Sequence, residues 1–277
     1  MTAADATPEP WSRRRLLATM LAVAAVAAVL LGALGYGTYS ALTGHDTPST
    51  AAVDAAQVSA GDVATGLSGQ ARRDAIAAAP MRASPPTAAW GGASGTAPPP
   101  TVVVPPATTV GPAQVPTGFP RTPEGALGQW GAIASTVLAH MSLEVTDAVH
   151  HAWASPGAAP VRQWRPAVDV VAFRSGPAAQ YVDDATTVIT AVPVAGQVKG
   201  VDGPDWALTC VLVKVTARVV TEDSVVDGMC ARMEWTGDRW VIAPGTEPAR
   251  APATWPGTQL ALEAGWRTWV ADAGEPS

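Results

Sequence analysis

The stretch that decides the fold runs from Trp206 to Ile242: WALTCVLVKVTARVVTEDSVVDGMCARMEWTGDRWVI. Its first fifteen residues are rich in β-branched side chains and alternate in character, which predicts a long strand over 206–220. Val225–Trp235 and Arg239–Ile242 have the same texture and predict two more strands. Thr221-Glu222-Asp223-Ser224 is the expected reversal between the first two, and Thr236-Gly237-Asp238 the tight turn between the last two. That turn sets Met233 and Trp235 opposite Ile242 and Trp240, and aromatic pairs of this kind stabilise antiparallel sheets by ~0.2–1 kcal/mol each.

Upstream, the alternation of Thr186, Val188, Thr190 and Val192 predicts a further antiparallel strand. Before it the period changes. Thr122-Pro123-Glu124 is a helix start: a capping hydroxyl, a proline suited to the first helical position and an acid at the positive end of the helix dipole. Leu127, Trp130, Ile133, Ala134, Val137, Leu138 and Met141 then share one helical face. A second helix is expected over Glu144–Trp153, stopped at Ser155-Pro156-Gly157. Ala167–Ala172 reads as either a short helix or a loop. Downstream, Thr258–Val270 has a helical pattern that aligns Leu262, Trp266 and Trp269. Helices followed by a curved antiparallel sheet define an α+β class, cone-like in outline.

This body is expected to occupy residues 115–273, a length typical of one domain. Nine of the eleven tryptophans lie in it, as do both cysteines. From Val115 to the C-terminus there are 17 acidic and 11 basic residues, a net charge of −6. A domain that grips nucleic acid gathers Lys and Arg on one face, so direct nucleic-acid binding is not expected.

Residues 43–114 differ sharply. They are rich in Ala, Pro, Ser, Thr and Gly, with one aromatic residue, Trp90, and seven charged ones. So little large apolar side chain is set against an ordering cost of ~1–2 kcal/mol per residue. The segment is therefore expected to be a disordered tether, semi-rigid over TAPPPTVVVPPATT, with a transient helix near Gln70–Ala79 as an alternative for that stretch.

Ahead of it, Arg13, Arg14 and Arg15 precede a run of 22 uncharged, mostly apolar residues, Leu16–Gly37. About 20 such residues in a helix cross a ~30 Å hydrocarbon core. Arginines on the N-terminal flank keep that flank in the cytoplasm. The expected topology is a cytoplasmic tail over 1–15, a single transmembrane helix over 16–37, and the remainder outside the cytoplasm. Ser12–Leu17 also resembles a twin-arginine export signal. The length of the run, and the lack of a small-residue cleavage motif after Tyr39, favour an uncleaved anchor over a removed leader.

Outside the cytoplasm an even cysteine count invites a disulfide. A reversal centred near Glu222 would set Cys210 opposite about residue 234, not Cys230. The two are therefore either bridged across an irregular ladder or simply small buried side chains. Trp164, Trp255 and Trp269 lie in Pro- and Arg-rich surroundings (QWRPAV, ATWPGT, WRTWV) and are candidates for contacts with partner subunits.

Signs of chemistry are few. His45 falls in the tether. His150 and His151 are adjacent and would point ~100° apart on a helix, which is poor for chelation. His140 with Glu144, and Asp147 with His151, are ordinary i, i+4 helix pairs. Asp183-Asp184, near Tyr181 and Thr186, is the most conspicuous acidic pair and reads as a strand-entry turn. There is no phosphate loop, no GxSxG elbow and no Ser-x-x-Lys. No catalytic residue, metal or cofactor is expected.

The order of elements, with Gly237-Asp238-Arg239-Trp240-Val241-Ile242, resembles the nuclear transport factor 2-like cone fold. One N-terminal span joined to such a domain is similar to the scaffold subunits of conjugation and type IV secretion machines. Gly118–Ala126, Gly196–Gly200, Cys230–Trp235 and Pro244–Pro248 resemble proteins encoded on integrative conjugative elements of actinobacteria. The resemblance implies a non-enzymatic, membrane-anchored scaffold that contacts itself and other transfer-complex subunits. Cone folds also host enzymes that use Asp/His pairs, so an exported small-molecule-binding or enzymatic domain is the alternative. A third reading is a regulatory envelope protein tied to the cell wall through the tether.

Overall fold

The computed structural model describes residues 64–176, 179, 187–218 and 222–272. The arginine triplet and the apolar run lie outside these residues, as do His45 and Asp183-Asp184. Among the described residues no helix is long and apolar enough to cross a membrane.

The expected strands form, with the end of the 188–201 strand and the start of the 222–235 strand longer than expected. Strand β1 is Thr101–Val104, β2 Thr109–Val110 and β3 Pro116–Thr117. The long strands are β4 (Val188–Val201), β5 (Trp206–Arg218) and β6 (Glu222–Trp235), followed by β7 (Trp240–Ile242) and β8 (Arg267–Ala271). Six of them make one curled sheet in the order β1-β8-β4-β5-β6-β7, and β2 and β3 pair separately. The ladder slips between Pro193 and Ala195 and again between Val198 and Gly200. Such bulges bend a strand and increase its twist, and here they let β4 follow the curl. At the last hairpin Trp235 pairs with Trp240, their rings 5.6 Å apart and near edge-on, and Met233 pairs with Ile242, as expected.

The helices are α1 (Gly69–Ala78), α2 (Pro123–His140), α3 (Leu143–Trp153), α4 (Arg165–Arg174) and the short α5 (Gln259–Glu263). Thr122 caps α2 by accepting a hydrogen bond from the Gly125 N–H at 3.0 Å. The 167–172 segment is helical, part of α4. Helix α2 packs on β4 and β5 and anchors the main core: Leu127, Trp130, Ile133 and Val137 lie among Val211, Val213, Met229 and Met233, all fully enclosed or within 1% of it.

Four core tryptophans also solve a hydrogen-bond problem. The indole N–H groups of Trp153, Trp240 and Trp266 donate to the carbonyls of Pro112, Pro120 and Pro252, and that of Trp130 to Met229. Each ring is buried without leaving a donor unmet.

Three sequence expectations need correction. First, the folded body includes the described residues from Ala64 on and does not begin near 115. Helix α1 buries Ile76 and Ala77 beside Trp206 and Leu208. Arg73 pairs with Asp202 at 2.7 Å, and Arg232 with Asp74 at 2.7 Å. Val102 and Val104 on β1 alternate inward. Small Ala, Gly and Pro side chains suffice here because they lie against broad surfaces already built by the later strands. Second, Thr258–Val270 is not one helix. Gly265 takes φ +80° and ends α5, and Arg267–Ala271 becomes β8, parallel to β1. Third, the β5–β6 reversal centres two residues earlier than expected: Arg218 faces Glu222, so Cys210 faces Cys230 directly, and the two are joined as a disulfide.

That bridge closes a loop of sequence separation 20. On the chain-entropy estimate it contributes about 3 kcal/mol. The paired variant Cys210→Ser/Cys230→Ser should lose about that much in urea unfolding of the full chain. Reductant should destabilise the unaltered chain similarly and leave the variant unchanged. A variant as stable as the parent would show that the bridge is ornamental.

Candidate functional site

Strand β7 covers only the last three residues of β6, Met233–Trp235. Beside the other end of β6, at Asp223–Asp227, lies a cavity of about 920 Å³. Helix α4 and the end of α2 form one wall. The segments Pro80–Trp90 and Ala249–Ala253 form the other. Met81, Leu138, Phe173 and Val226 make the lining mainly apolar, and Trp90, 59% exposed, stands among the lining residues. A space of ~300–1,000 Å³ with apolar walls and a few convergent polar groups is the usual form of a small-molecule site.

The enclosed charged groups of the lining come from two elements, α4 and β6. Pro166 at the start of α4 favours a helix there, and the i, i+4 spacing sets Arg165 and Asp169 on one face. The Arg165 Nη2 forms an ion pair with Asp169 Oδ1 at 2.7 Å and donates to both Asp227 oxygens at 3.2 and 3.4 Å. Asp227 belongs to β6. Glu247 closes the group by accepting the Arg165 backbone N–H at 3.2 Å, at the N-terminal end of α4.

Two ionised carboxylates on one guanidinium would leave a surplus negative charge in a poorly hydrated place. Burial, reinforced by the charge and hydrogen bond of Asp227, pushes the Asp169 carboxyl up to about 8, against the opposing pull of Arg165. Burial likewise raises Glu247 to about 7, opposed by the Arg165 N–H and by the charges of Arg165 and Arg232. Asp169 Oδ2 and Arg165 Nε are enclosed and make no hydrogen bond among the described residues. The cluster can thus hold or release a proton near neutrality, and it has hydrogen-bonding capacity left over.

The residues singled out from sequence fall elsewhere. Trp164 is corrected from a surface contact to a core residue: it is 1% exposed, with its ring 6.2 Å from Trp130 and 5.1 Å from His150. Trp255 is half-buried, with the Lys214 ammonium 6.0 Å from its ring centroid. Trp269 is also half-buried and lies over Gly131 of α2, where an added Cβ would come within 2.7 Å of its ring. His140 and His150 bond to the backbone carbonyls of Thr136 and Ala159. Among the described residues no group of His, Cys, Asp and Glu is arranged to hold a metal. The sequence reading missed Arg165, Asp169 and Asp227. The local Arg165–Asp169 spacing was visible, but Asp227 lies 62 residues away and its role depends on the register of β6.

No family model, curated protein or solved structure matches this chain.

Proposed function

We propose that this chain is a membrane-anchored, non-enzymatic scaffold subunit of a conjugative, type IV secretion-like complex. On this reading its α+β body is a nuclear transport factor 2-like cone held outside the cytoplasm. The observation that carries the reading is the filling of the space between sheet and helices. Trp130, Trp153, Trp164 and Trp240 occupy it at 0–1% exposure, where a cone-fold enzyme keeps an open polar interior. Between Gly37 and Ala64 lie 26 residues, which limits the reach of the body from the bilayer to at most ~90 Å. Confinement to that shell raises the effective concentration of neighbouring subunits.

A surface for such contacts is present at the β1 edge of the sheet. Val103 and Val270 are paired across β1 and β8 and are 52% and 39% exposed. Photo-cross-linking in cells from a benzophenone amino acid at position 103 should capture this chain itself or co-encoded transfer components. Capture of neither, with the protein at normal abundance, would remove the scaffold reading.

The cavity beside β6 favours a second reading, a small-molecule-binding domain. Its observation is the Arg165–Asp169–Asp227 group facing an apolar space large enough for a ligand.

A further inference from the structure

We propose that the cavity along β6 binds an apolar small molecule bearing a single ammonium group, which pairs with Asp169 beside Asp227. The proposal rests on the second reading above and gives it a ligand class.

The volume, about 920 Å³, suits a drug-sized molecule. The walls supply little beyond apolar contact, so the charged lining must set the preferred head group. Six charged residues line the space: Arg82, Arg165, Arg250, Asp169, Asp223 and Asp227. Their charges sum to zero, but they are not equally placed. Arg250, Asp223 and Arg82 are exposed to water, and Arg82 already pairs with Glu263 at 3.0 Å. The enclosed portion is Arg165 with Asp169 and Asp227, their side chains only 17–22% exposed. That portion carries one carboxylate more than its guanidinium balances.

A ligand carboxylate or phosphate would therefore meet an arginine already committed to two acids. A neutral ligand would leave Asp169 holding its proton and would gain no charged contact. An ammonium meets the Asp169 carboxyl, which lines the cavity and keeps 17% of its side chain exposed. Burial already makes Asp169 retain a proton near neutrality, and the ligand's charge takes that proton's place. Hydrogen bonds to charged groups contribute ~1.5–3 kcal/mol, tenfold or more in affinity.

The test is calorimetric titration of the full chain in lipid nanodiscs, with empty nanodiscs as reference. The probes share one frame: 3-(biphenyl-4-yl)propylamine, the corresponding propanol and the corresponding propanoate. The amine should bind at least about tenfold more tightly than the alcohol, and the acid most weakly. In Asp169→Asn the amine should fall to the level of the alcohol, while the alcohol keeps its affinity and so reports an intact cavity. Equal binding of amine and alcohol, tightest binding of the acid, or an amine preference that survives Asp169→Asn would overturn the ligand class while leaving a binding cavity. Binding of none of the three would remove both the ligand class and the second reading. The head-group order in the unaltered chain decides by itself, so a variant that failed to fold would not rescue the idea. None of these outcomes bears on cross-linking from position 103.

Discussion

Replacing Trp130 with alanine should cost about 3–5 kcal/mol, among the largest losses open to a single truncation in this chain. Trp130 is completely enclosed, on the face of α2 that meets the sheet. Its ring lies 6.2 Å from Trp164, tilted by 60°, and its N–H donates to Met229 on β6 at 3.2 Å. One side chain therefore joins α2 to the centre of the sheet and to the residue that leads into α4. The alanine variant loses the buried area and leaves a cavity that flanking elements close only in part. Trp130→Phe keeps most of the ring but orphans the Met229 acceptor, and should cost about 1–3 kcal/mol. The measurement is urea unfolding of the full chain in nanodiscs, with Trp164→Ala and the double variant completing a cycle. A coupling of about 0.5–1.5 kcal/mol is expected for the aromatic pair. If Trp130→Ala lost less than about 1 kcal/mol, or the two truncations were simply additive, the packing described for α2 would be wrong.

The elements most legible in the sequence were those with strong local signals. The Thr122 cap, the face of α2 and the Trp235–Trp240 hairpin all follow from residues within a few positions of one another. Where the structure departs from the sequence reading, the deciding partner is distant. Ile76 and Val104 sit in stretches too poor in apolar mass to fold alone, and they are ordered by surfaces that Trp206 and α2 provide. The 258–270 segment keeps a helical hydrophobic spacing through Leu262, Trp266 and Trp269, yet the left-handed turn at Gly265 ends the helix and pairing with β1 makes Arg267–Ala271 a strand. The disulfide turned on a two-residue shift in the centre of one reversal. Since register fixes which side chains face each other, that small shift converted a doubtful pair into a direct one.

The same dependence on register hid the charged cluster. Asp227 looks like an ordinary residue beside Gly228 in a strand. Only the placement of β6 beneath α4 brings it to Arg165 and creates the surplus carboxylate. Trp164 shows the converse: Pro and Arg neighbours suggested a surface residue, but Pro160 and Pro166 fold the chain so that the ring turns inward against Trp130.

The surplus carboxylate predicts how stability varies with pH. An unfolded Asp titrates near 3.9, whereas in the folded chain burial and Asp227 carry Asp169 up to about 8. Between those two values the folded state binds more protons than the unfolded state. Unfolding free energy therefore falls as pH rises across that window and levels off above it. Glu247, raised by burial to about 7, acts in the same direction over a narrower range. The chain should be most stable in mildly acidic solution, and its thermal midpoint should drop by ~5 °C or more between pH 5 and pH 9, since ~1 kcal/mol moves the midpoint of a domain this size by roughly 2–4 °C. Asp169→Asn keeps the shape and removes the charge. It should flatten most of the fall, melt above the parent at pH 9 and retain a shallower decline, ending near pH 7, from Glu247. Asp169→Asn/Glu247→Gln should remove that remainder. Arg165→Gln should do the reverse, because two enclosed carboxylates would then lack their cation and the decline with pH would steepen. A parent midpoint that stayed level or rose from pH 5 to pH 9, or an Asp169→Asn variant with the parent's slope, would mean that burial does not make Asp169 hold a proton in the folded chain.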